Sequence, residues 1–254
     1  MDLINEVKKK KEFLGLPDSV VIRVVGEVDE SLDSKTKVKE VRAILRKYFG
    51  VFLTNKVVKP KDIMDYDSIL KSHKSSGKRE YDEFYGQIRK CFRGEEVVSI
   101  IDFGAGGNGF SYPYLRKAFG NVRYVGVEAS GQLVDNTNVF FDKSGFGKLC
   151  EVVHGDLFDV NFVEGILKSE GKGRVVFLFQ VIDALESLEK NFSKDFLLKI
   201  KRSSEHIVVS MPMLSLSGKM IKVKRDWVVG FLKGNFEVLG EFEKNGEIVF
   251  CLKC

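Results

Sequence analysis

From Glu96 onward, short apolar runs alternate with helix-compatible stretches, and this alternation is the strongest constraint on the fold. The apolar runs are VVSIIDF, NVRYVGVEA, CEVVHGD, RVVFLFQ and HIVVSMP. Buried strands separated by helices predict a parallel, doubly wound α/β sheet of the Rossmann-like type. The final segment FEVLGEFEKNGEIVFCLK instead reads as two strands joined at Asn245-Gly246, a dipeptide typical of hairpin turns. The sequence therefore predicts a parallel sheet with a C-terminal antiparallel hairpin.

Residues 1–94 have a different sequence pattern, which indicates short helical segments separated by turns. In KVKEVRAILRKYFG the apolar residues fall on one helical face and the basic residues on the other. LPDSVVIRVVGEV is ambiguous, because its β-branched run suits a strand while Pro17 and Asp18 favour the start of a helix. We predict a small, mostly helical, basic RNA-binding domain over residues 1–94 and a second domain over residues 95–254.

The positive charge of the chain is concentrated in the first of these segments. Residues 1–94 hold 21 Lys and Arg against 15 Asp and Glu, and residues 35–61 hold nine basic residues against one acid. Such asymmetry is typical of a module that contacts nucleic acid, although a solvated helix face would show the same pattern. The residues predicted to contact RNA are Lys35, Lys39, Arg42, Arg46, Lys47, Lys219 and Lys222.

The composition narrows the class of protein further. No apolar run approaches the ~20 residues of a membrane span, and the charged N-terminus lacks the apolar core of a signal peptide. The four cysteines are too scattered for a disulfide framework, and the terminal CLKC has no second pair of ligands to complete a zinc site. We therefore expect a cytoplasmic protein with reduced thiols and no metal.

The segment SIIDFGAGGNGF places a glycine-rich loop directly behind the first predicted strand. Gly104, Gly106 and Gly109 match the spacing of a dinucleotide-binding loop, in which a helix N-terminus cradles a pyrophosphate. S-adenosylmethionine (SAM) has no phosphate; it carries a sulfonium, an ammonium and a carboxylate, so its site needs carboxylates as well as close backbone. Asp102, two residues before the loop, is placed to meet the ammonium through water. This acid favours SAM over a nicotinamide cofactor.

Two further acids follow the next two predicted strands. Glu128 closes the second strand, where it can accept hydrogen bonds from both ribose hydroxyls of either cofactor. Asp156 follows the third, where it can accept from the adenine amine while Leu157 packs on the ring; the alternative for Asp156 is a helix N-cap. Acids at three successive strand ends, together with the hairpin, favour a class I SAM methyltransferase fold, with an NAD enzyme as the alternative. The predicted cofactor-binding residues in these segments are Asp102, Gly104, Ala105, Gly106, Glu128, Ala129, Asp156, Leu157 and Gln180.

Together with motifs elsewhere in the chain, these residues give a sequence that resembles the FmrO-like family, the aminoglycoside-resistance methyltransferases that act on 16S ribosomal RNA at guanine N7. The likeness covers nearly the full length and rests on EVKKKKEFLGLPDSVVIRVV, KEVRAILRKYFGVFL, SHKSSGKREYDEFYGQI, IDFGAGGNGF, FLFQVIDALESLE and VVSMPMLSLSGK. The resemblance implies that Arg79 reaches the SAM carboxylate and that His73, Ser75 and Ser76 belong to the same motif. Capping of a helix near Lys78 is the alternative for His73 and the serines.

The chain also departs from the family pattern. The cysteine of the glycine loop is Ala105. The motif glutamate is Lys78, so we expect any internal ion pair between that position and the motif arginine to be lost. Gln180 replaces a lysine of the fourth-strand motif, while Leu214 and Ser217 replace an arginine and a glycine of the fifth. These changes concern the RNA contacts and the target nucleotide more than SAM recognition.

The chemistry implied by the resemblance requires few catalytic groups. Guanine N7 offers a lone pair at neutral pH, so a methyltransferase of this kind mainly has to align the nucleophile with the methyl group and needs no general base. The segment Phe179–Asp183 lacks the Pro-Pro-aromatic turn of exocyclic-amine methyltransferases, and no Pro-Cys context suggests a pyrimidine C5 enzyme. Gln180 and Ser210, at the ends of the fourth and fifth strands, are the candidates to touch the base edge. Candidates to stack on a flipped base, or simply to pack, are Phe110, Tyr112, Tyr114 and Trp227.

Three functions follow from these patterns. The first is a methyltransferase acting on RNA of the small ribosomal subunit, a monomer without DNA or membrane partners. The second is a small-molecule methyltransferase whose basic N-terminus acts as a lid. The third is a non-catalytic SAM- or RNA-binding protein associated with the ribosome.

Overall fold

The computed structural model describes residues 2–50, 55–74, 76–213 and 226–254. Within these residues a seven-stranded sheet has the order β3-β2-β1-β4-β5-β7-β6. The strands are β1 Ser99–Phe103, β2 Arg123–Glu128, β3 Cys150–His154, β4 Arg174–Phe179, β5 His206–Pro212, β6 Glu237–Lys244 and β7 Glu247–Lys253. Strands β1 to β5 pair in parallel and β7 pairs antiparallel with β5 and β6, which confirms the predicted fold class.

Local sequence explains both parts of this sheet. Strand β1 is buried along its whole length because helices cover both faces, as expected for an apolar strand in a parallel sheet. The predicted hairpin turns at Asn245 (φ 53°) and Gly246 (φ 79°), and two positive φ angles in succession define a type I′ turn. Because β1 to β5 are parallel, their carboxyl ends lie on the same side of the sheet, where the loops that follow them can form a shared site.

Helices before the sheet form two groups that differ in what they pack against. The first group is α1 Leu3–Lys8, α2 Lys11–Leu14, α3 Asp18–Gly26 and α4 Ser34–Leu45, followed by a π-helical turn Arg46–Gly50. The second group is α5 Asn55–Val58, α6 Tyr66–Ser72 and α7 Tyr81–Cys91. The ambiguous segment after Pro17 is helical, as α3. In α4, the carboxylate of Asp33 caps the first turn by accepting from the backbone of Lys35 and Thr36.

The clusters of buried apolar residues separate the two groups of helices between Leu45 and Val57, and not at residue 94. Side chains from Val7 to Leu45 form a cluster of their own, joined by Leu188. Side chains from Val57 to Phe92 instead belong to the cluster that covers one face of the sheet. The second group of helices is thus continuous with the sheet core, and the division at residue 94 stays a prediction.

The remaining helices flank the sheet. They are α8 Tyr112–Phe119, α9 Gly131–Lys143, α10 Val160–Ser169, α11 Ile182–Leu188, α12 Phe192–Lys201 and α13 Asp226–Asn235, with a 3₁₀ turn over Asn108–Ser111. Within the described ranges, no helix has the length and apolar character needed to cross a bilayer.

Candidate functional site

A pocket opens where the parallel strands end, and it is walled from two sides. One wall consists of the loops after β1, β2, β3 and β4, together with residues of the α6–α7 loop. The other consists of N-terminal residues, which the sequence patterns did not place at a cofactor site. The predicted site residues that line the pocket are His73, Ser76, Arg79, Gly104, Ala105, Gly106, Glu128, Ala129, Asp156, Leu157 and Gln180. The lining residues that were missed include Val20, Tyr48, Phe49, Leu133, Phe158, Phe179 and Leu188.

The glycine loop needs its glycines for backbone conformation and for space. Gly104 has a φ of 71° and Gly106 a φ of 54°, a region that side chains disfavour. A Cβ at Gly104 would lie 2.5 Å from Cγ2 of Val181. The loop can therefore approach the pocket closely only with glycine at this position.

Glu128 ties this loop to the end of β2. Its carboxylate accepts from the backbone N–H of Gly106 and of Ser130, each at 2.8 Å, and burial raises its pKa. In a dinucleotide site, loop N–H groups of this kind would bind a pyrophosphate. Here a carboxylate already holds the N–H of Gly106, and its charge opposes a phosphate, so the arrangement argues against the NAD alternative.

Asp102 lies behind the pocket and is absent from its lining. Its Oδ2 accepts from Asn108 Nδ2 at 2.7 Å and from the Tyr124 hydroxyl at 2.8 Å. Its Oδ1 is buried and has no hydrogen-bond partner among the described residues. Burial raises the pKa of Asp102 to about 6, against the opposite effect of the hydrogen bonds from Asn108 and Tyr124. Asn108, which lines the pocket, separates Asp102 from it, and the expected contact of Asp102 with a ligand through water stays a prediction.

Asp156 lines the pocket and connects the two walls. Its Oδ1 accepts from the backbone N–H of Phe158 at 2.9 Å, and its Oδ2 accepts from the hydroxyl of Ser19 in α3 at 2.7 Å. The helix-cap alternative does not hold, because Asp159 provides the N-cap of α10. Ser19 has no local sequence signal, since it lies 137 residues from its partner.

Arg79 is buried in an ion pair that the sequence patterns did not predict. Its guanidinium donates to both carboxylate oxygens of Glu247, at 2.7 to 3.1 Å, and the two side chains are 2% and 4% exposed. Burial opposes the charged form, but the Glu247 carboxylate outweighs it and raises the pKa of Arg79. A pair with the motif position cannot form, because Lys78 carries the same charge as Arg79, but the arginine keeps a counter-charge from elsewhere in the chain. The partner comes from β7 and not from the neighbouring motif position.

His73 and Ser76 form one unit at the pocket wall. The Ser76 hydroxyl and His73 Nδ1 are 2.9 Å apart, and burial, with a smaller effect of the Arg79 charge, lowers the pKa of His73 to about 4. His73 is therefore neutral at pH 7. The capping alternative fails for both, because α7 begins at Tyr81 without a side-chain cap. Ser75 lies outside the described residues.

The two residues predicted to touch a base have different positions. Gln180 lines the pocket just after β4 and has a φ of 59°, an uncommon conformation for a residue with a side chain. Ser210 is fully buried in β5, and its hydroxyl donates to Glu247 at 2.8 Å. The expectation that Ser210 contacts a substrate is corrected, because its side chain belongs to the support of the Arg79–Glu247 pair.

The aromatic candidates for base stacking serve mainly as packing. Phe110 and Tyr112 are fully buried, and the Tyr114 hydroxyl donates to Asp67. Trp227 is 36% exposed, with the Lys194 ammonium 5.0 Å from its ring centroid. None of these four lines the pocket; Tyr48, Phe49, Phe158 and Phe179 supply its aromatic side chains.

Some of the basic residues predicted to contact RNA are exposed and without ion pairs in the described part of the chain, whereas others already bind other residues of the protein. Lys35 and Lys39 are exposed on α4 and make no ion pair with any described residue. Arg42 is half-buried and donates to the backbone carbonyls of Glu6 and, at 3.2 Å, Val7, so it stabilises the end of α1. Arg46 is exposed but pairs with Glu12 at 2.5 Å, and Lys47 donates to Tyr48 at 2.9 Å. Lys219 and Lys222 lie outside the described residues, as do the motif positions Leu214 and Ser217.

The sheet order and the antiparallel last strand define the fold as the Rossmann-like fold of SAM methyltransferases. Two solved structures are similar to this fold. The 16S rRNA methylase RmtB superimposes with a TM-score of 0.74 at 19% identity over 99% of this chain and 97% of its own. The 16S rRNA methylase ArmA gives a TM-score of 0.54 at 23% identity over 78% of this chain and 96% of its own.

A third similar structure is an O-methyltransferase family protein from Burkholderia thailandensis, with a TM-score of 0.52 at 10% identity over 83% of this chain and 68% of its own. No family model matches the sequence, and no curated protein matches it. The fold that the resemblance implied is thus confirmed by structure.

Proposed function

We propose that this protein is a SAM-dependent methyltransferase that acts on ribosomal RNA of the small subunit, at guanine N7. The observation that carries the proposal is the extent of the likeness to RmtB, which covers 99% of this chain and so includes the N-terminal helices as well as the sheet. RmtB is a 16S rRNA methylase, and the likeness extends to the part of the chain where we expect RNA to bind. We propose further that the protein works as a monomer in the cytoplasm.

The chemistry of the pocket fits SAM. Glu128 and Asp156 can accept from ribose hydroxyls and from the adenine amine, because each carboxylate oxygen can accept a second hydrogen bond. Leu157 offers an apolar surface to the adenine ring, and Arg79 offers N–H groups to a carboxylate. The buried Oδ1 of Asp102 has no partner among the described residues, and it is an acceptor that an ammonium group could reach through water. When bound, SAM supplies a methyl group activated by a sulfonium.

The residues around the methyl acceptor suit a nucleophile that needs no base. Guanine N7 attacks with its own lone pair, so no proton has to move in the step. His73 is neutral at pH 7 and can remain so throughout. Gln180, at the pocket wall, can donate to and accept from the base edge. The protein's contribution is therefore to position the base and to exclude water.

The experiment that tests the proposal uses labelled SAM with isolated small ribosomal subunits and, separately, with free ribosomal RNA. Borohydride–aniline cleavage then locates any 7-methylguanosine. We expect label in intact subunits and one cleavage position. Label without cleavage would overturn the assignment to N7, and absence of label on both substrates would overturn the RNA methyltransferase.

A small-molecule methyltransferase is the second candidate, and one observation favours it. Tyr48 and Phe49 close the pocket from the N-terminal side, as a lid over a small substrate would. This candidate requires methyl transfer to a small acceptor without RNA. The third candidate, a non-catalytic binding protein, requires SAM affinity without transfer to any ribosomal substrate.

A further inference from the structure

Glu247 holds the guanidinium of Arg79 along one edge. Nε and Nη2 of Arg79 make three hydrogen bonds to its carboxylate, at 2.7 to 3.1 Å. The ring of Phe84 lies 4.4 Å, and that of Phe179 5.0 Å, from the guanidinium carbon. Nη1 has a single long contact with the described residues, 3.4 Å to Oδ1 of Asn108. The arginine is therefore oriented with one nitrogen still able to donate to a ligand.

Glu247 is itself fixed in place. It lies opposite Pro212 in the β5–β7 register, and the hydroxyl of Ser210 donates to it at 2.8 Å. A guanidinium with no counter-charge would be very costly at this depth, whereas a bidentate pair satisfies most of its hydrogen-bonding groups. The pair carries little net charge, so it can attract a carboxylate mainly through the direction of the Nη1 hydrogen bonds.

We propose that Glu247 is a positioning residue that aims Arg79 at the carboxylate of the amino-acid end of SAM. The inference rests on the proposed function, because it assumes that the pocket binds SAM. The competing explanation is purely structural: the pair would fasten β7 to the α6–α7 loop with no effect on ligand choice. The two explanations differ in what they predict for a ligand that lacks the carboxylate.

The test compares S-adenosylhomocysteine (SAH) with 5′-methylthioadenosine, which keeps the adenosine and the sulfur but has no amino-acid end. Calorimetry measures both ligands with the wild type and with Glu247→Gln. We expect the SAH affinity to fall about 10- to 100-fold, the size of one lost charged hydrogen bond, while the methylthioadenosine affinity changes less than about threefold. In turnover with SAM, KM rises and kcat is retained.

Two further variants keep the test decisive. Lys253 lies on the same strand as Glu247, and Lys253→Gln breaks only its exposed pair with Glu95, so this variant should leave both affinities unchanged. If Glu247→Gln alone proves unstable, the double variant Arg79→Met with Glu247→Met takes its place. It removes both charges, so no unpaired charge is left buried. We expect this double variant to lose the preference for SAH over methylthioadenosine.

Equal loss of both ligands in a folded variant, or no loss of SAH, would overturn the positioning role while leaving the proposed function intact. Failure of the wild type to bind either ligand would overturn both proposals at once.

Discussion

The two walls of the pocket are built by different physical means. The sheet-side wall holds Arg79 and Glu247 as a buried pair with side chains 2% and 4% exposed. The N-terminal wall shares apolar packing with Leu188, but its ion pair with the rest of the protein, Arg23 with Glu189, has side chains that are 30% and 46% exposed. Breaking a buried pair costs about 3–5 kcal/mol, whereas an exposed pair contributes about 0–1 kcal/mol. The ion pair of the sheet-side wall is therefore worth more than that of the N-terminal wall, and the sheet-side wall is the more strongly preorganised of the two.

The largest effect is expected from filling the glycine loop of the sheet-side wall. Gly104→Val forces a β-branched residue to a φ of 71° and places its Cβ 2.5 Å from the Val181 side chain. We expect SAH affinity to fall at least about 100-fold, because the loop must move into the pocket or away from it. Calorimetry with SAH measures this loss.

The matched control is Gly165→Ala in the exposed interior of α10, where a Cβ meets nothing within 4 Å. It should leave SAH binding unchanged and stabilise the protein by about 0.5–1 kcal/mol. Wild-type SAH affinity in Gly104→Val would show that the sheet-side wall is not rigid.

The second prediction concerns Asp102 and the pH dependence of stability. Burial raises its pKa from 3.8 to about 6, so between these values the folded state keeps a proton that the unfolded chain releases. The wild type therefore loses stability as pH rises through this window. Asp102→Asn removes this loss, so its stability relative to the wild type should improve by about 2–3 kcal/mol between pH 4 and pH 7. Urea unfolding at the two pH values measures the change; equal differences at both would contradict the burial argument.

A smaller effect is expected at the junction of the walls. Ser19→Ala removes the hydrogen bond to Asp156, which spans the two walls, and should cost about 1 kcal/mol. We expect faster amide exchange in α3 and an SAH affinity reduced by less than about tenfold. Asp156→Ala, which also removes a group facing the pocket, should reduce that affinity further. Equal losses in the two variants would mean that the N-terminal wall is as tightly coupled as the sheet-side one.

The smallest effects are expected on the outer face of the N-terminal wall. Lys35→Gln and Lys39→Gln should each weaken RNA binding only modestly and lower the salt slope by about one. Arg42→Gln should instead lower the free energy of unfolding by about 1–2 kcal/mol, because this side chain holds backbone carbonyls at the end of α1. Filter binding at several salt concentrations, together with thermal unfolding, separates the two roles. A lysine variant with an unchanged salt slope would exclude that lysine from the RNA contact surface.

What could be predicted from the sequence depended on local patterns. The strands and the hairpin followed from apolar runs and from Asn245-Gly246, and the glycine loop from its spacing. These signals are local because strand burial and turn conformation depend on neighbouring residues. The charge pattern of α4 also marked a basic face, but it did not separate Lys39, which is free of ion pairs with the described residues, from Arg42, which is engaged.

The contacts that sequence patterns did not predict join distant parts of the chain. Arg79 and Glu247 lie 168 residues apart, and no local pattern relates them. One signal was present: Glu247 occupies the same strand face as Val249 and Cys251, which are fully buried. A carboxylate on an inward strand face requires a buried partner, so an arginine could have been sought for it.

The distance between Arg79 and Glu247 along the chain also affects how the protein is made. Synthesis proceeds from the N-terminus, so the arginine leaves the ribosome 168 residues before its counter-charge. Until β7 has been synthesised, the guanidinium must remain hydrated, and the segment that carries it cannot adopt its final packing. Insertion of β7 between β5 and β6 then closes the sheet and neutralises the arginine in one event. The ability to bind a ligand thus arises only after β7 has been synthesised.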